Sequence, residues 1–308
     1  MKFCSLHHHS TFSFGDGFGT PAQHIARAAE LGYSAMALTE HGNVSSHFQH
    51  EKAAAKAGVK PIFGLEAYCG STDPELRSAW KNHLTVLAKN AEGYRNLNRI
   101  VTQSYNDFYY HPTVSGSVLG SHSQGLVALS GCSGSLLACS LLGGKGIPEP
   151  DRPDMGAAES VIWGFHDVFG DDFFLEVQPF YELPRSKDIN TAYEQLSYIT
   201  GVPLVVTHDV HYPRMEDAEM QAVLHAVHRG KHSVDDVMRE WNYAVPLTLP
   251  SSDSALARRL MRTGMSRDAA WQAIEMSGYI AEQCNVTLPK AEPLRYPIEE
   301  KDLVPWSR

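Results

Sequence analysis

The chain has 308 residues, of which 43% are hydrophobic and 20% are charged. This length and composition allow one large domain or two ordinary ones with a packed core, and they argue against global disorder. The formal charge of −9 argues against a basic surface that binds nucleic acid without regard to sequence. It does not exclude a nucleic-acid enzyme whose acidic pocket holds cations.

Cysteine usage and the apolar segments indicate where the protein works. The five cysteines are an odd number without disulfide-like spacing, which predicts free thiols in a reducing compartment. The first residues, 1–4, lead directly into polar histidines and do not resemble a signal peptide. The longest apolar stretch, residues 126–142, is interrupted by serines and glycines and does not predict a membrane span. We therefore expect a cytoplasmic protein without a membrane partner.

Short apolar runs and amphipathic helices alternate along the first two-thirds of the chain. The first helix has strong start signals, since Thr20 is an N-cap, Pro21 occupies the first helical position and Gln23 completes a capping box. A second helix is predicted over residues 46–57. The predicted strands are Phe3–Leu6, Ala35–Leu38, Val59–Phe63, Leu84–Ala88, Leu126–Leu129, Phe173–Val177 and Pro203–Val206. This alternation predicts an α/β fold of seven mostly parallel strands with right-handed crossovers.

The character of the chain changes after Pro213. Helices are predicted over residues 216–229, 254–262 and 266–284, and the proline-rich, charged sequence beyond Pro289 predicts an extended tail. We therefore expect a barrel over residues 1–212 and a helical extension over residues 213–308.

Polar residues of the kinds that bind metals follow the predicted strands. They are His7 and His9 after the first strand, His41 after the second, Glu66 after the third, Cys132 after the fifth, and Asp209 and His211 after the seventh. Barrel enzymes build their sites at the carboxyl ends of their strands. The pattern therefore favours a closed or nearly closed barrel over an open sheet, with a site at that end.

Spacing gives a second argument for a shared site. Residues i and i+2 of an extended segment project to the same face, so His7 and His9 point together while His8 points away. Asp209 and His211 have the same spacing. Imidazole, carboxylate and thiolate ligands together suit zinc, or else manganese or iron, and more than four ligands imply more than one ion. Such a centre binds phosphate oxygens and activates water.

Some of these residues also have simpler interpretations. Cys132 lies in the stretch 130–134, which reads either as a nucleophile loop or as a tight turn, and no partner pattern supports cysteine catalysis. Asp16 and Gly17 form an ordinary turn signal. Glu176, within the sixth predicted strand, either pairs with a positive group or lies at the barrel rim, and the sequence leaves both open.

Other histidines and several cations are predicted to be solvated. Helical spacing predicts solvated helix faces for two sets of histidines, namely His47 and His50, and His225, His228 and His232. Four cations are candidates for phosphate contacts but read more simply as surface charge, namely Lys81, Lys89, Arg95 and Arg99.

At these positions the sequence resembles the PHP (polymerase and histidinol phosphatase) domain, and more narrowly the N-terminal PHP domain of bacterial DNA polymerase III alpha subunits. The opening stretch, residues 6–17 with Leu6-His7-His8-His9-Ser10 and Phe14-Gly15-Asp16-Gly17, carries the first motif. Further motifs in the family's order lie at residues 38–44, 64–68, 83–90, 93–97, 129–132, 176–180 and 207–212. The resemblance covers about residues 1–230, and the following helices resemble the region leading to the polymerase palm and thumb.

The resemblance implies a distorted seven-stranded β/α barrel with up to three divalent ions, Zn²⁺ or Mn²⁺, with iron as an alternative. The family's metal ligands match His7, His9, Asp16, His41, Glu66, His83, Cys132, Asp209 and His211. In some relatives this domain is a metal-dependent 3′–5′ exonuclease that proofreads, and in others the ligands are lost. Every ligand position here keeps a coordinating side chain, which favours the active branch.

The sequence departs from the family in two places. His208 replaces the usual asparagine, and we expect its side chain to point away from Asp209 and His211. The chain also contains no Asp-x-Asp pair, so it cannot carry the polymerase site of that family. This predicts either an excised N-terminal piece or a naturally short relative, bacterial or phage-encoded.

Three functions remain open at this point. The first is a metal-dependent phosphodiesterase that acts on a DNA 3′ end, beside a separate polymerase chain or other replication proteins. The second is a non-catalytic domain that its metals stiffen and that supports a polymerase or another partner. The third is a small-molecule phosphatase of the histidinol phosphatase type, which would not need the polymerase-like motif at residues 93–97.

Overall fold

The computed structural model describes residues 2–228 and 245–290, together with the single positions 230, 233 and 235. Over this part of the chain it contains six strands, numbered here in chain order: β1 Ala35–Leu38, β2 Lys60–Cys69, β3 Asn82–Ala88, β4 Leu126–Leu129, β5 Phe173–Val177 and β6 Leu204–Val206. The α-helices of the same part are α1 Pro21–Glu30, α2 His47–Ala57, α3 Ala91–Asn106, α4 Gly116–Ser121, α5 Leu136–Leu142, α6 Met155–Phe169, α7 Pro184–Thr200, α8 Ala218–His228, α9 Asp253–Arg262 and α10 Arg267–Gln283.

The strands form one curled sheet in the order β1-β2-β3-β4-β5-β6. β1 pairs with β2, β4 with β5 and β5 with β6 in parallel, as predicted. β3 instead runs antiparallel to both of its neighbours. Residues 70–81, between β2 and β3, contain no helix to carry a parallel crossover, so the chain turns back on itself.

The seven-stranded barrel is not confirmed, because the sheet of the described residues is a six-stranded half-barrel. The predicted first strand, Phe3–Leu6, is not a strand and makes only isolated bridges, from Ser5 to Met36 and, just beyond it, from His8 to Val210. This segment contacts β1 with one residue and the chain after β6 with another. It therefore never pairs with consecutive residues of one neighbour, which a strand requires.

Most other predicted elements are confirmed within a few residues. The capping box of α1 is present, with Thr20 accepting from the Gln23 backbone N–H and the Gln23 side chain accepting from the Thr20 backbone. β2 is longer than predicted, since residues 60–63 pair with β1 and residues 64–69 with β3. The helices predicted over 216–229, 254–262 and 266–284 correspond to α8, α9 and α10. Arg229 and the predicted tail over 291–308 lie outside the described residues.

Apolar side chains form two layers of core. The outer layer lies between the sheet and its helices and includes Met36, Leu84 and Phe173. The inner layer lies on the other face of the sheet, where α10 contributes Ile280 and Ala281. The boundary predicted at residue 212 stays a prediction. In the described part of the chain, no helix is long and apolar enough to cross a membrane.

Two histidines of α2 contradict the prediction of a solvated face. His47 and His50 are buried, and their Nε2 atoms lie 3.0 Å from the Gly64 and Met36 carbonyl oxygens respectively. Each Nε2–H therefore donates to a strand backbone. Burial lowers the pKa of His47 to about 4 and, with the neighbouring His47, that of His50 to about 3.

These two histidines predict a loss of stability in mild acid. In the unfolded chain both histidines have a pKa of about 6.5. Below that pH the unfolded chain therefore binds more protons at these two side chains than the folded chain does. The contribution of these two histidines to the free energy of unfolding should therefore be complete above about pH 6.5 and should decrease as the pH falls toward about 4. We expect His50→Gln to show a shallower fall, measured by urea denaturation of chelated protein at each pH. Equal pH slopes for His50→Gln, the half-exposed control His122→Gln and wild type would contradict this.

Gly93, in the first turn of α3, is required by a close backbone contact. A Cβ added there would lie 1.8 Å from the Gly125 carbonyl oxygen, so the helix packs onto this loop only without a side chain. We expect Gly93→Ala to cost about 3 kcal/mol in the free energy of unfolding, measured by urea denaturation. The control is Gly120→Ala in α4, where a Cβ meets no described atom within 4 Å and the change should stay within about 1 kcal/mol. Equal losses in both variants would refute the packing argument.

Candidate metal centre

Nine side chains converge at one end of the curled sheet. His41 follows β1, Cys132 follows β4, and Asp209 and His211 follow β6, as the sequence predicts. Glu66 lies within β2 rather than after it, because that strand continues to Cys69. The antiparallel direction of β3 brings its first residues to the same end, which explains the position of His83. All nine residues inferred from the family resemblance lie there, namely His7, His9, Asp16, His41, Glu66, His83, Cys132, Asp209 and His211.

Glu66 is the centre of this arrangement. One carboxylate oxygen, Oε1, lies 2.8 Å from His83 Nδ1, 3.3 Å from His7 Nε2 and 3.7 Å from the Cys132 sulfur. The other oxygen, Oε2, lies 2.5 Å from His41 Nδ1 and 3.7 Å from His9 Nε2. A single buried carboxylate therefore faces four imidazoles and a thiol.

Three overlapping triads have the spacing that a metal ion needs. Within each triad the ligand atoms lie within 4.8 Å of one another, and the triads are His9–His41–His211, His7–His9–Glu66 and Glu66–His83–Cys132. Asp16 and Asp209 border them, with Asp16 Oδ2 3.0 Å from His41 Nε2 and Asp209 Oδ1 3.4 Å from both His7 Nε2 and His9 Nε2. Glu66, which belongs to two triads, has two carboxylate oxygens and could bind two adjacent ions, whereas His9 could bind only one of them through Nε2.

Buried polar atoms without hydrogen-bond partners also indicate that the cluster could hold divalent ions. Several buried atoms that face the cluster make no hydrogen bond to any described residue, namely His7 Nε2, His9 Nε2 and Asp16 Oδ1. Buried polar atoms are rarely left without a partner. Nitrogen, carboxylate and sulfur donors with free lone pairs suit zinc, and the carboxylates also suit manganese.

Glu176, whose role the sequence leaves open, holds His7 in position. Its Oε1 lies 2.6 Å from His7 Nδ1, and the same carboxylate accepts from the hydroxyls of Thr85 and Thr207 and from the Gly131 N–H. Because Nδ1 faces this carboxylate, His7 would bind a metal through Nε2, which lies toward the cluster. Carboxylates that orient metal-bound histidines in this way raise ligand basicity.

A second buried carboxylate, Glu40, orients His9 through a serine. The Ser13 hydroxyl donates to Glu40 Oε2 at 2.6 Å and accepts from His9 Nδ1 at 2.8 Å, which leaves His9 Nε2 free to bind a metal. The Ser10 hydroxyl and backbone N–H also donate to Glu40. The sequence did not single out Glu40, although its place one residue before His41 at the end of β1 was a usable signal.

Electrostatics keep the central carboxylates ionised. Burial acts to raise the pKa of Glu66, but His83, His41 and His7 hold it well below its usual range. Burial is likewise outweighed at Asp16, where His41 is the main cause of a lowered pKa. Burial, reinforced by His41, lowers the pKa of His9 to about 3, so its imidazole is neutral at physiological pH, as a metal ligand must be.

Cys132 does not have the environment of a nucleophile. Its sulfur lies 3.5 Å from His83 Nδ1, but burial, and then the charges of Glu66 and Asp209, raise the pKa of its thiol well above the usual value. A nucleophilic cysteine needs a lowered pKa. The thiol therefore suits a ligand that a bound cation would deprotonate, and not the nucleophile-loop alternative.

The end of β6 departs from the extended geometry behind the spacing argument. Asp209 has a φ of 46°, so the chain bends there, and the His211 Nδ1–H donates to the Asp209 carbonyl at 2.8 Å. Asp209 and His211 still meet in the cluster. His208 points away, as predicted, with its ring against Phe180.

The sequence analysis did not predict one histidine that borders the cluster. His225 on α8 lies with its Nε2 3.8 Å from Asp16 Oδ2, which contradicts the solvated face predicted for it. Helical spacing cannot tell a solvated face from one that covers a site. His228, one turn further on, is exposed against Phe14, and His232 lies outside the described residues.

The predicted phosphate-binding cations differ in their surroundings. Lys89 pairs with Asp172, and Arg95 and Arg99 pair with Glu92 in the first turn of α3, which supports the simpler interpretation as surface charge. Lys81, two residues before His83, is instead buried, and its Nζ donates to the Ser78 carbonyl.

Glu176 carries a prediction of its own. We expect Glu176→Gln to weaken metal binding about 10- to 100-fold, because the amide no longer holds the Nδ1–H of His7 with a charge. Titration of apo protein with zinc against a chromophoric chelator measures this. The matched control is Glu182→Gln, which loses only the partly exposed pair with Arg259. Unchanged affinity in both variants would disprove the orienting role.

Known proteins resemble this chain in both sequence and structure. The family model described as PHP domain matches residues 5–179. DNA polymerase III subunit alpha of Thermus aquaticus is 33% identical over 309 residues, which cover 97% of this chain and 24% of that protein. The same subunit of Borreliella burgdorferi is 34% identical over 241 residues, which cover 76% of this chain and 20% of that protein.

Two solved structures show weaker similarity. A histidinol phosphate phosphatase from Lactococcus lactis, complexed with zinc, L-histidinol and phosphate, is 14% identical with a TM-score of 0.38, and the match covers 75% of this chain and 95% of that one. An amidohydrolase from Chromobacterium violaceum is 16% identical with a TM-score of 0.40, and the match covers 70% and 89% respectively.

The α/β sheet thus carries a cluster of candidate metal ligands at one end. The family match, which extends over more than half of the chain, identifies it: this chain belongs to the PHP domain family. Within that family it is similar to the polymerase III alpha subunits, of which it spans about a quarter of the length.

Proposed function

We propose that this protein is a metal-dependent phosphodiesterase that removes nucleotides from DNA 3′ ends, as a 3′–5′ exonuclease acting in DNA replication. The observation that carries the proposal is the set of three overlapping triads around Glu66, with buried lone pairs directed into them. Up to three divalent ions, Zn²⁺ or Mn²⁺, would polarise the phosphodiester and activate water.

The chain's own residues provide the geometry for this reaction. The nine side chains named above would hold the ions, while Glu176 and Glu40 fix the orientation of His7 and His9. The cluster is closed on the side of His7, which is fully buried, and more open on the side of Asp16 and His83, whose side chains are 24% and 20% exposed. A scissile phosphate would therefore approach from the Asp16 and His83 side.

The similarity to polymerase subunits supports a place beside a replicative polymerase. In this proposal the protein works in the cytoplasm of a bacterium or of a phage-infected host, together with a polymerase chain or other replication proteins. DNA is the substrate, and the acidic charge of the chain is compatible with DNA only while cations fill the cluster.

A nuclease assay tests the proposal directly. Purified protein is incubated with a 3′-mismatched primer–template and Mn²⁺ or Zn²⁺, beside His9→Ala and Asp209→Ala and the control variants His122→Ala and Asp151→Ala. We expect stepwise shortening from the 3′ end that both cluster variants lose and both controls keep.

Two other outcomes would overturn it. Folded, metal-loaded protein that shortens no primer in any metal would indicate the non-catalytic, metal-stiffened domain. Release of phosphate from histidinol phosphate without release of nucleotides would indicate the small-molecule phosphatase.

A further inference from the structure

A run of aromatic rings leads outward from the open side of the cluster. The Tyr68 ring, near the end of β2, lies 5.3 Å from the His83 ring and 5.9 Å from the His41 ring, measured between centroids. His111 stacks on Tyr68 at 4.6 Å with an angle of 29° between the planes. The rings therefore connect two of the candidate metal ligands with the loop around residue 110.

That loop presents a tyrosine at the tip of a tight turn. The Tyr109 N–H donates to the His111 carbonyl at 3.1 Å, which closes the turn around Tyr110. Tyr110 has a φ of 61°, a conformation that a bulky L-residue rarely adopts, and it is 66% exposed. Strained backbone that displays an aromatic side chain beside a site indicates a functional constraint.

Cations lie against the same rings. The Arg77 guanidinium lies 4.4 Å from the centre of the Tyr109 ring, and the buried Lys81 Nζ lies 5.3 Å from it. Arg77 is exposed and makes no ion pair with a carboxylate of any described residue. An arginine that is already stacked on an aromatic ring is well placed to hold a phosphate.

The loop is anchored to the sheet and so holds a fixed position relative to the cluster. The Val114 N–H donates to the Tyr68 carbonyl at 2.8 Å, and the Gly70 N–H donates to the Val114 carbonyl at 3.0 Å. These bonds form a single parallel bridge between Cys69, at the end of β2, and Val114. They tie the turn at Tyr110 to the strand that carries Glu66.

We propose that this aromatic rim, made of Tyr68, Arg77, Tyr109, Tyr110 and His111, binds the unpaired terminal nucleotides of a single-stranded DNA 3′ end. The exposed Tyr110 ring gives a stacking surface that accepts any base, and the half-buried rings of Tyr109, Tyr68 and His111 continue from it toward the cluster. Arg77 gives a positive charge for the backbone on a chain whose net charge is negative. The proposal rests on the proposed nuclease function, because the rim would deliver the 3′ end to the cluster. It explains how frayed or mismatched ends would be preferred over paired ones.

Binding without cleavage tests the rim separately from hydrolysis. The probe is a 5′-fluorescein oligothymidylate with phosphorothioate linkages, titrated with metal-loaded protein and followed by anisotropy. We expect Tyr110→Ala and Tyr109→Ala each to weaken binding about fivefold or more, and Tyr110→Phe to restore it. Arg77→Glu should weaken binding and reduce its salt dependence. The controls are Tyr198→Ala, an exposed tyrosine near the end of α7, and Lys56→Glu, at the end of α2. These helix ends directly precede β6 and β2, so both residues lie near strand starts, at the end of the sheet away from the cluster.

A base-deletion cycle identifies stacking. Removing the 3′-terminal base from the probe should weaken binding by wild type but not weaken it further in Tyr110→Ala. Tyr110→Ala should lose less activity on bis(p-nitrophenyl) phosphate, which carries no base, than on the oligonucleotide. If all rim variants bind the probe with wild-type affinity, the proposal that the rim binds DNA is overturned. Absence of any hydrolysis by wild type would instead overturn the nuclease proposal, while the binding data would still decide on the rim.

Discussion

Replacing Glu66 by glutamine is expected to reduce metal loading and to lower the proposed phosphodiester hydrolysis about a thousandfold. The carboxylate is 2% exposed and faces His7, His9, His41 and His83. It belongs to two of the three triads, so its loss removes a ligand from two sites at once. A neutral amide cannot balance the charge of adjacent cations, and effects on transition-state stabilisation of this kind are among the largest that single residues produce.

The Glu66 variant needs a readout besides activity. Metal content per chain, measured by elemental analysis after gel filtration, should fall with the rate of hydrolysis. The matched control is Glu159→Gln on the exposed face of α6, which should keep both. Wild-type metal content in Glu66→Gln would contradict the central position of this carboxylate.

Removing bound metal ions is expected to lower the midpoint of thermal unfolding by about 6 °C. An ion whose free concentration is well above its dissociation constant stabilises the folded state by about 4 kcal/mol. For a chain of this size that free energy corresponds to the stated shift. Without cations the cluster keeps ionised carboxylates and buried lone pairs with no hydrogen-bond partner among the described residues. Each of these costs free energy in the folded state.

Chelation of a variant with an impaired cluster is the control for this result. His9→Ala with Asp209→Ala removes two cluster residues, so chelator should lower its midpoint less than that of wild type, while wild type regains its midpoint on addition of zinc. Identical melting curves for chelated and reloaded wild type would show that metals contribute nothing to folding.

The regular elements could be predicted because their signals are local. The capping box at Thr20 and the apolar runs at 126–129 and 173–177 are confirmed because caps and burial on both faces act within a few residues. The segment Phe3–Leu6 has the same apolar character, yet its bonding is divided between two distant neighbours. Pairing partners are not local, so this error could not be found in the pattern.

The site could be predicted in part for the same reason. Residues that follow strands were visible, but His83 precedes one, and an apolar run does not reveal strand direction. Only the family resemblance indicated it. His47 and His225 show the converse limit, since helical spacing defines a face without showing what lies against it. Glu176 and Glu40 acquire their roles only from three-dimensional contacts.

Anomalous diffraction from crystals grown with zinc or manganese tests the central claim most directly. We expect two or three anomalous peaks among the nine cluster residues, with Glu66 within ligand distance of at least two of them. We also expect His7 and His9 to bind through Nε2, with Glu176 and Ser13 on their Nδ1 atoms. A cluster without a peak in metal-loaded, folded protein, with Glu66 bonded only to histidines, would contradict the account.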